Sequence, residues 1–454
     1  MLEIFIEINL SLAAINIMNQ KLLEDVFQLT CNGFNTSAHE YLPKGVYRDY
    51  CLWALSTENP YQKDYLQVLG LKQFAHLTLS LFEGAVKEEN LEQLAKYSVP
   101  MNVYLAYENI SDNLAIGLAN RATDDKTYDL RRMVLLSFND AMCKRLLGQS
   151  DSGEKSLSPM QPTLQKISSF WQSHNPAKHK VVAHAYLNRN EHISLEELEY
   201  AVWPSLVTNI ETCTSVAKSV ANSSVGSLVL QGLVNRYQAV SSLIKEPSMS
   251  LQRRVQMGTD SILVIPTLAY YIGVLAETVQ PIKNFQTVVE KGLLKEALTK
   301  AAILVRLVND LGMLATQTEE ERVALFDRLR LIYRRKSNSV KTINELLLQA
   351  VEEVGPVFAR IHKDVLLGEF NMCLGDTDII NALSVEDALV IFEQRLGYFS
   401  TLYAQSYAQM MTLLDTMSNI LGEEAPSLII HSFVSFHEKL YTNPYNQSVG
   451  NIAF

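Results

Sequence analysis

The sequence predicts an all-α fold. Long segments are rich in Leu, Ala, Glu, Gln and Lys, with apolar residues returning at every third and fourth position. Only 13 Pro and 19 Gly interrupt the 454 residues, and no stretch alternates apolar and polar residues as a half-buried strand would. At 48% hydrophobic, the chain can bury a sizeable core, and its length suits two domains or one large helical domain with an extension.

Taken in order, residues 1 to about 148 read as several helices joined by turns at Asn32-Gly33, Pro43-Lys44-Gly45 and Glu58-Asn59-Pro60. From Gly148 to about Lys180 the chain gathers Gly, Ser and Pro, which predicts a flexible insertion, with one short helix over Ile167 to Trp171. Ser194 and Glu197 form a capping-box pattern that opens a helical stretch through Val202 and Val216. Further helices are expected over 226–246, 250–276, 283–317, 318–335, 338–367 and 384–421, then one more before a loose end over 441–454. The expected division is 1–95 for N-terminal helices packing on or extending the bundle, 96–424 for the main helical domain with its insertion at about 148–180, and 425–454 for a last helix and loose tail.

A formal net charge of −10 speaks against a broad nucleic-acid surface, because phosphate neutralisation needs clustered Lys and Arg. Cys31, Cys51, Cys143, Cys213 and Cys373 show no CxxC spacing, so neither a disulfide framework nor a thiolate zinc site is expected, and a reducing cytoplasm suits them. The N-terminus is acidic where a signal peptide would be basic. The longest apolar run, Ile262 to Ala276, is too short to span a membrane and holds Pro266, so it reads as a buried, broken helix. His174, His179, His184 and His192 crowd together at spacings that share no helix face and read as surface residues. Nucleotide-binding and α/β-hydrolase motifs are absent.

The most informative stretch is Leu304-Val305-Arg306-Leu307-Val308-Asn309-Asp310-Leu311-Gly312, where an Arg and an Asn-Asp pair stand in an apolar helical run. Such groups are seldom buried without a use, although an Asn-Asp that merely ends a core helix satisfies the same pattern. With Ala301 to Val305 before it, the run resembles the second metal-binding helix of class I terpene synthases. The resemblance implies a class I terpenoid-synthase-like helical bundle, Mg2+ as cofactor and an isoprenyl diphosphate as substrate. It places metal ligands at Asn309, Met313 and Gln317, one turn apart on one helix face, with Asp310 beside them. Met313 is a soft thioether and a poor ligand for a hard cation.

An acidic partner motif is then required upstream, and two candidates exist. The first is the helix-spaced pair Glu108 and Asp112, after the aromatic run holding Tyr104 and Tyr107, with Ser111 and Ala115 where the family has further Asp. The second is Asp124, Asp125 and Asp129, a literal DDxxxD. Either must put oxygens on one helix face to hold magnesium against a diphosphate.

Leu251 to Gly258 is similar to the family's diphosphate-sensing segment, which gives Arg254 or Arg253 a phosphate to bind and makes Pro266 the break in the following helix. Arg395 and Tyr398 stand where the family has an Arg-Tyr pair reaching the diphosphate, and Arg306 is a further phosphate candidate. Tyr104, Tyr107 and Pro266 would meet the prenyl chain.

The implied function is magnesium-dependent ionisation of an isoprenyl diphosphate, followed by cyclisation, coupling or quenching of the carbocation. Two alternatives stay open. One is a helical binding or partner protein that keeps the fold without the catalysis, favoured by Met313, Gln317, Ser111 and Ala115. The other is a head-to-head prenyl synthase of the squalene or phytoene type. No nucleic acid and no membrane-spanning segment is expected, and a homodimer is left open.

Overall fold

A computed structural model describes residues 17–82, 84–119, 126–168, 176–246 and 248–442. Every regular element among them is helical. The longer helices are α1 (Ile17–Tyr41), α2 (Val46–Leu55), α3 (Leu71–Phe82), α4 (Glu88–Ala115), α5 (Tyr128–Leu146), α6 (Pro176–Leu187), α7 (Val202–Ser219) and α8 (Gly226–Lys245). They continue with α9 (Leu251–Asp260), α10 (Val264–Val274), α11 (Leu293–Leu311), α12 (Glu319–Lys336), α13 (Ile343–Val354), α14 (Ala359–Leu367), α15 (Val385–Leu421) and α16 (Ala425–Thr442).

Local chemistry starts these helices. Thr318 with Glu321, Thr342 with Glu345, and Ser194 with Glu197 form complete capping boxes, each satisfying two backbone donors that a helix start leaves over. At the other end of α4, the guanidinium of Arg131 donates to the carbonyls of Leu114 and Ile116 and so closes the last turn.

Two helices organise the interior. α4 packs on α1, α3, α5 and α7, while α11 packs on α9, α10, α15 and α16. α8 and α10 join the two groups, since α8 touches α5, α9 and α10, and α10 touches both α4 and α11. One continuous apolar core runs through all of them, from Phe34 in α1 to Tyr441 in α16. A smaller cluster beneath α2 and α6 gathers Tyr50, Cys51, Tyr65 and Tyr186.

Several expectations need correction. The boundary at 95 falls inside α4, and α1 and α3 feed Phe34, Leu71 and Phe82 into the main core. α16 also belongs to that core, so 425 is no boundary. Asn32-Gly33 is no turn but lies within α1, where a Cβ on Gly33 would stand 2.4 Å from Val99 Cγ1 of α4. Helix-breaking residues there mark close approach of two backbones. The expected insertion is packed as far as it is described, with Leu157, Leu164 and Ile167 buried. Trp171 and His174 lie outside the described residues, and His179 is half-buried edge-on to Tyr65. Among the described residues no single helix is long and apolar enough to cross a membrane.

Candidate anion-binding cavity

The break expected near Pro266 positions the site. A proline ring clashes with the carbonyl four residues back, here that of Ile262, so a continuous helix through 262 is disfavoured. The chain responds by ending α9 at Asp260 and opening α10 at Val264, with a bend of 43° between the two. Pro266 then sits in the first turn of α10, where a missing N–H costs nothing. Its ring packs on Gly232 of α8, and Pro266 is not among the residues that line the neighbouring cavity. Ser261, Ile262, Leu263, Val264 and Thr267 line a cavity of about 650 Å³.

This cavity is bounded by α3, α4, α5, α8, α9, α10, α11, α14 and α16 and by the segment after α14. Its apolar wall includes Leu77, Leu105, Val240, Ile244, Val305 and Phe433. Its cations are Arg132, Arg236, Lys245, Arg254, Arg306 and Lys363. An interior that mixes apolar walls with convergent charged groups is built for an amphipathic ligand.

Four residues singled out by the resemblance meet there: Asp112, Arg254, Arg306 and Asn309. Asp129 joins them. Arg254 is only 1% exposed, its Nη1 lies 3.2 Å from Asp376 Oδ2, and its Nη2 donates to the Met249 carbonyl at 3.3 Å. Burial lowers the Arg254 pKa and Asp376 works against that. Arg306 lies 2.8 Å from Asp310 Oδ1, donates to the Phe370 carbonyl at 3.0 Å and stands 5.3 Å above the Phe370 ring. Asn309 accepts from Arg360 Nη2 through its side-chain oxygen at 3.2 Å.

Other expected residues lie elsewhere. Glu108, one turn before Asp112, is buried behind the wall, as is Tyr104, whose hydroxyl is 2.8 Å from that of Tyr237. Tyr107 stacks on Phe34 of α1 at 4.5 Å. Arg253 is a surface residue paired with Glu246 at 2.9 Å. Arg395 is bonded to Asp376 and Asp378, each at 2.7 Å, and reaches the cavity only through Asp376. Tyr398 is 42% exposed on the outer face of α15. Asp124 and Asp125 lie outside the described residues.

The magnesium triplet fails on geometry. α11 stops at Leu311, Gly312 takes φ 56°, and Gly312–Thr316 continues as a 3-10 turn, so Met313 and Gln317 leave the face that carries Asn309. Asp310, fully buried, accepts from Arg306 and from the Met372 backbone N–H at 2.8 Å, which fixes the segment after α14 instead of an ion. Burial raises the Asp310 pKa against the pull of Arg306. Among the described residues no group of three or more His, Cys, Asp or Glu stands ready to hold a metal. The residues present do not fit the two-helix magnesium site.

Sequence reasoning missed Arg236, Lys363 and His437. Arg236 had a readable signal, an arginine between the apolar residues Leu233-Val234 and Ala239-Val240 on a helix, though with Asn235 and Gln238 beside it. Lys363 pairs with Glu369 at 3.1 Å, and burial, which raises the Glu369 pKa, is outweighed only by the combined pull of Lys363, Arg360 and other positive charge, which lowers it to about 2. His437 comes from α16, and no local pattern ties that helix to the cavity. No protein-family model, curated protein or solved structure matches this chain. The described residues thus define an all-α protein with an internal cavity of mixed charge and apolar lining.

Proposed function

We propose that the chain is a class I terpenoid-synthase-like bundle whose cavity holds an isoprenyl diphosphate. The observation that carries this reading is the meeting of Arg254, Arg306, Asn309 and Asp112 in one cavity of about 650 Å³, from three helices far apart in sequence. The diphosphate lies among Arg254, Arg306 and Lys363, where it competes with Asp376, Asp310 and Glu369 for the cations. The prenyl chain lies along Leu105, Val240, Ile262 and Val305. A calorimetric titration tests this. Farnesyl diphosphate binds and farnesol binds far more weakly, while Arg254→Met costs roughly 1.5 to 3 kcal/mol of binding, the worth of a charged hydrogen bond. Equal affinity for the alcohol and the diphosphate refutes the assignment.

The second reading is ionisation of that ligand, with cyclisation, coupling or quenching of the carbocation to follow and the leaving diphosphate held by Arg254, Arg306 and Lys363. The apolar wall beside the 261–263 break and the cations lining the same cavity favour it. Its test is diphosphate release from geranyl, farnesyl and geranylgeranyl diphosphate with and without magnesium. The head-to-head alternative rests on Asp125, outside the described residues, and Asp129.

A further inference from the structure

Glu108 and Asp112, spaced on α4 as a metal pair would be, already share a cation. Arg236 of α8 places one nitrogen, Nη2, 3.1 Å from Glu108 Oε1 and 2.5 Å from Asp112 Oδ1. The other Glu108 oxygen is also filled, by Tyr237 Oη at 2.7 Å and Asn209 Nδ2 at 2.8 Å. Arg236 is 7% exposed, lines the cavity and keeps one buried nitrogen, Nε, without a hydrogen-bond partner. Its side chain is thus built in and held by neighbours from α4, where a surface arginine would swing free. A divalent ion bridging the same two carboxylates would have to stand against a fixed positive charge at contact distance.

We infer that Arg236 takes the place of the metal ion on α4, so that the cavity binds its anionic ligand without a divalent cation. This deepens the diphosphate reading and rests on it only for the identity of the ligand. The guanidinium offsets one of the two negative charges that would otherwise repel a diphosphate, where a divalent ion would offset both, and its planar fork adds a fixed direction that an ion lacks. The cost is chemical: a guanidinium cannot exchange ligands or draw off a leaving oxygen as a metal does.

Two measurements on the full chain decide it. In the first, Mn2+ binding is followed by electron paramagnetic resonance and by thermal unfolding. The wild-type chain takes up no Mn2+ that Asp112→Asn abolishes. Arg236→Met, which frees the pair, gains a site that raises its melting temperature with added Mn2+, and Asp112→Asn in that background removes it. Wild-type uptake of Mn2+ that Asp112→Asn abolishes overturns the inference, and this result stands even where Arg236→Met does not fold. In the second, farnesyl diphosphate is titrated in EDTA and in magnesium. Equal affinities support the inference, and affinity at least tenfold tighter in magnesium overturns it. Absence of binding in both refutes the diphosphate reading, and the Mn2+ experiment then decides the role of Arg236 alone.

Discussion

At the scale of single residues, the buried charges carry the account. Arg306 was legible because an arginine in an apolar helical run must be paired or used, and Arg254 through the resemblance of its segment to a diphosphate-sensing one; the structure pairs both at the cavity wall. The same rule reads Arg236, although its partners Glu108 and Asp112 lie over a hundred residues away in sequence, where no local pattern connects them. His437 gives a pH test. Its Nδ1 lies 2.8 Å from the Phe433 carbonyl, and burial lowers its pKa from 6.5 to about 4. Between those values the unfolded chain takes up a proton that the folded chain refuses, so His437 makes stability fall as pH drops from 6.5 towards 4, by about 3 kcal/mol at most. Asp364, raised by burial to about 7, acts with the opposite sign, and comparing a variant with wild type removes its contribution. Denaturant unfolding across that range is expected to show a shallower loss for His437→Gln. Parallel curves for the two proteins would mean that His437 titrates normally in the fold.

Among elements, the end of α11 decides most. The helix expected over 283–317 is broken at Gly292, with φ 74°, into a short helix, Phe285–Glu290, and α11, which runs to Leu311, and what happens next depends on packing. A Cβ on Gly312 would stand 2.8 Å from Arg360 Cγ and 3.0 Å from the Tyr441 carbonyl, so contacts from α14 and α16 fix a turn that only glycine fits. Gly312→Ala is expected to cost about 2 to 3 kcal/mol of stability by thermal or denaturant unfolding, from the strained φ and the two close contacts. A loss under half a kilocalorie would show that the turn relaxes freely. The ends of the turn also bear on the metal question. Because Met313 and Gln317 do not continue the Asn309 face, Met313→Ser with Gln317→Glu is expected to leave Mg2+ affinity unchanged in a calorimetric titration. Tighter magnesium binding by the double variant would restore the helix-face triplet. Pro266 was the clearest element signal: its ring predicts a break, and the break appears one turn before it, at 261–263.

Across the whole molecule, the all-α class was legible from periodicity, but the division of the chain was not. Helices assigned to separate ends, α1 and α3 before 95 and α16 after 425, close one core with α4 and α11, because pairing between distant helices leaves no mark in local sequence. The same closure makes the cavity, to which α4, α8, α9, α11, α14 and α16 each bring one or two of the residues that count. The most direct test of that arrangement is a structure of the chain with farnesyl thiodiphosphate, a slowly reacting analogue of the proposed ligand. The account predicts the thiodiphosphate within hydrogen-bond reach of Arg254 and Arg306, no metal between it and Asp112, and the prenyl chain along Leu105 and Val240. A ligand bound outside this cavity, with Arg254 still on Asp376 and Arg306 still on Asp310, would contradict it.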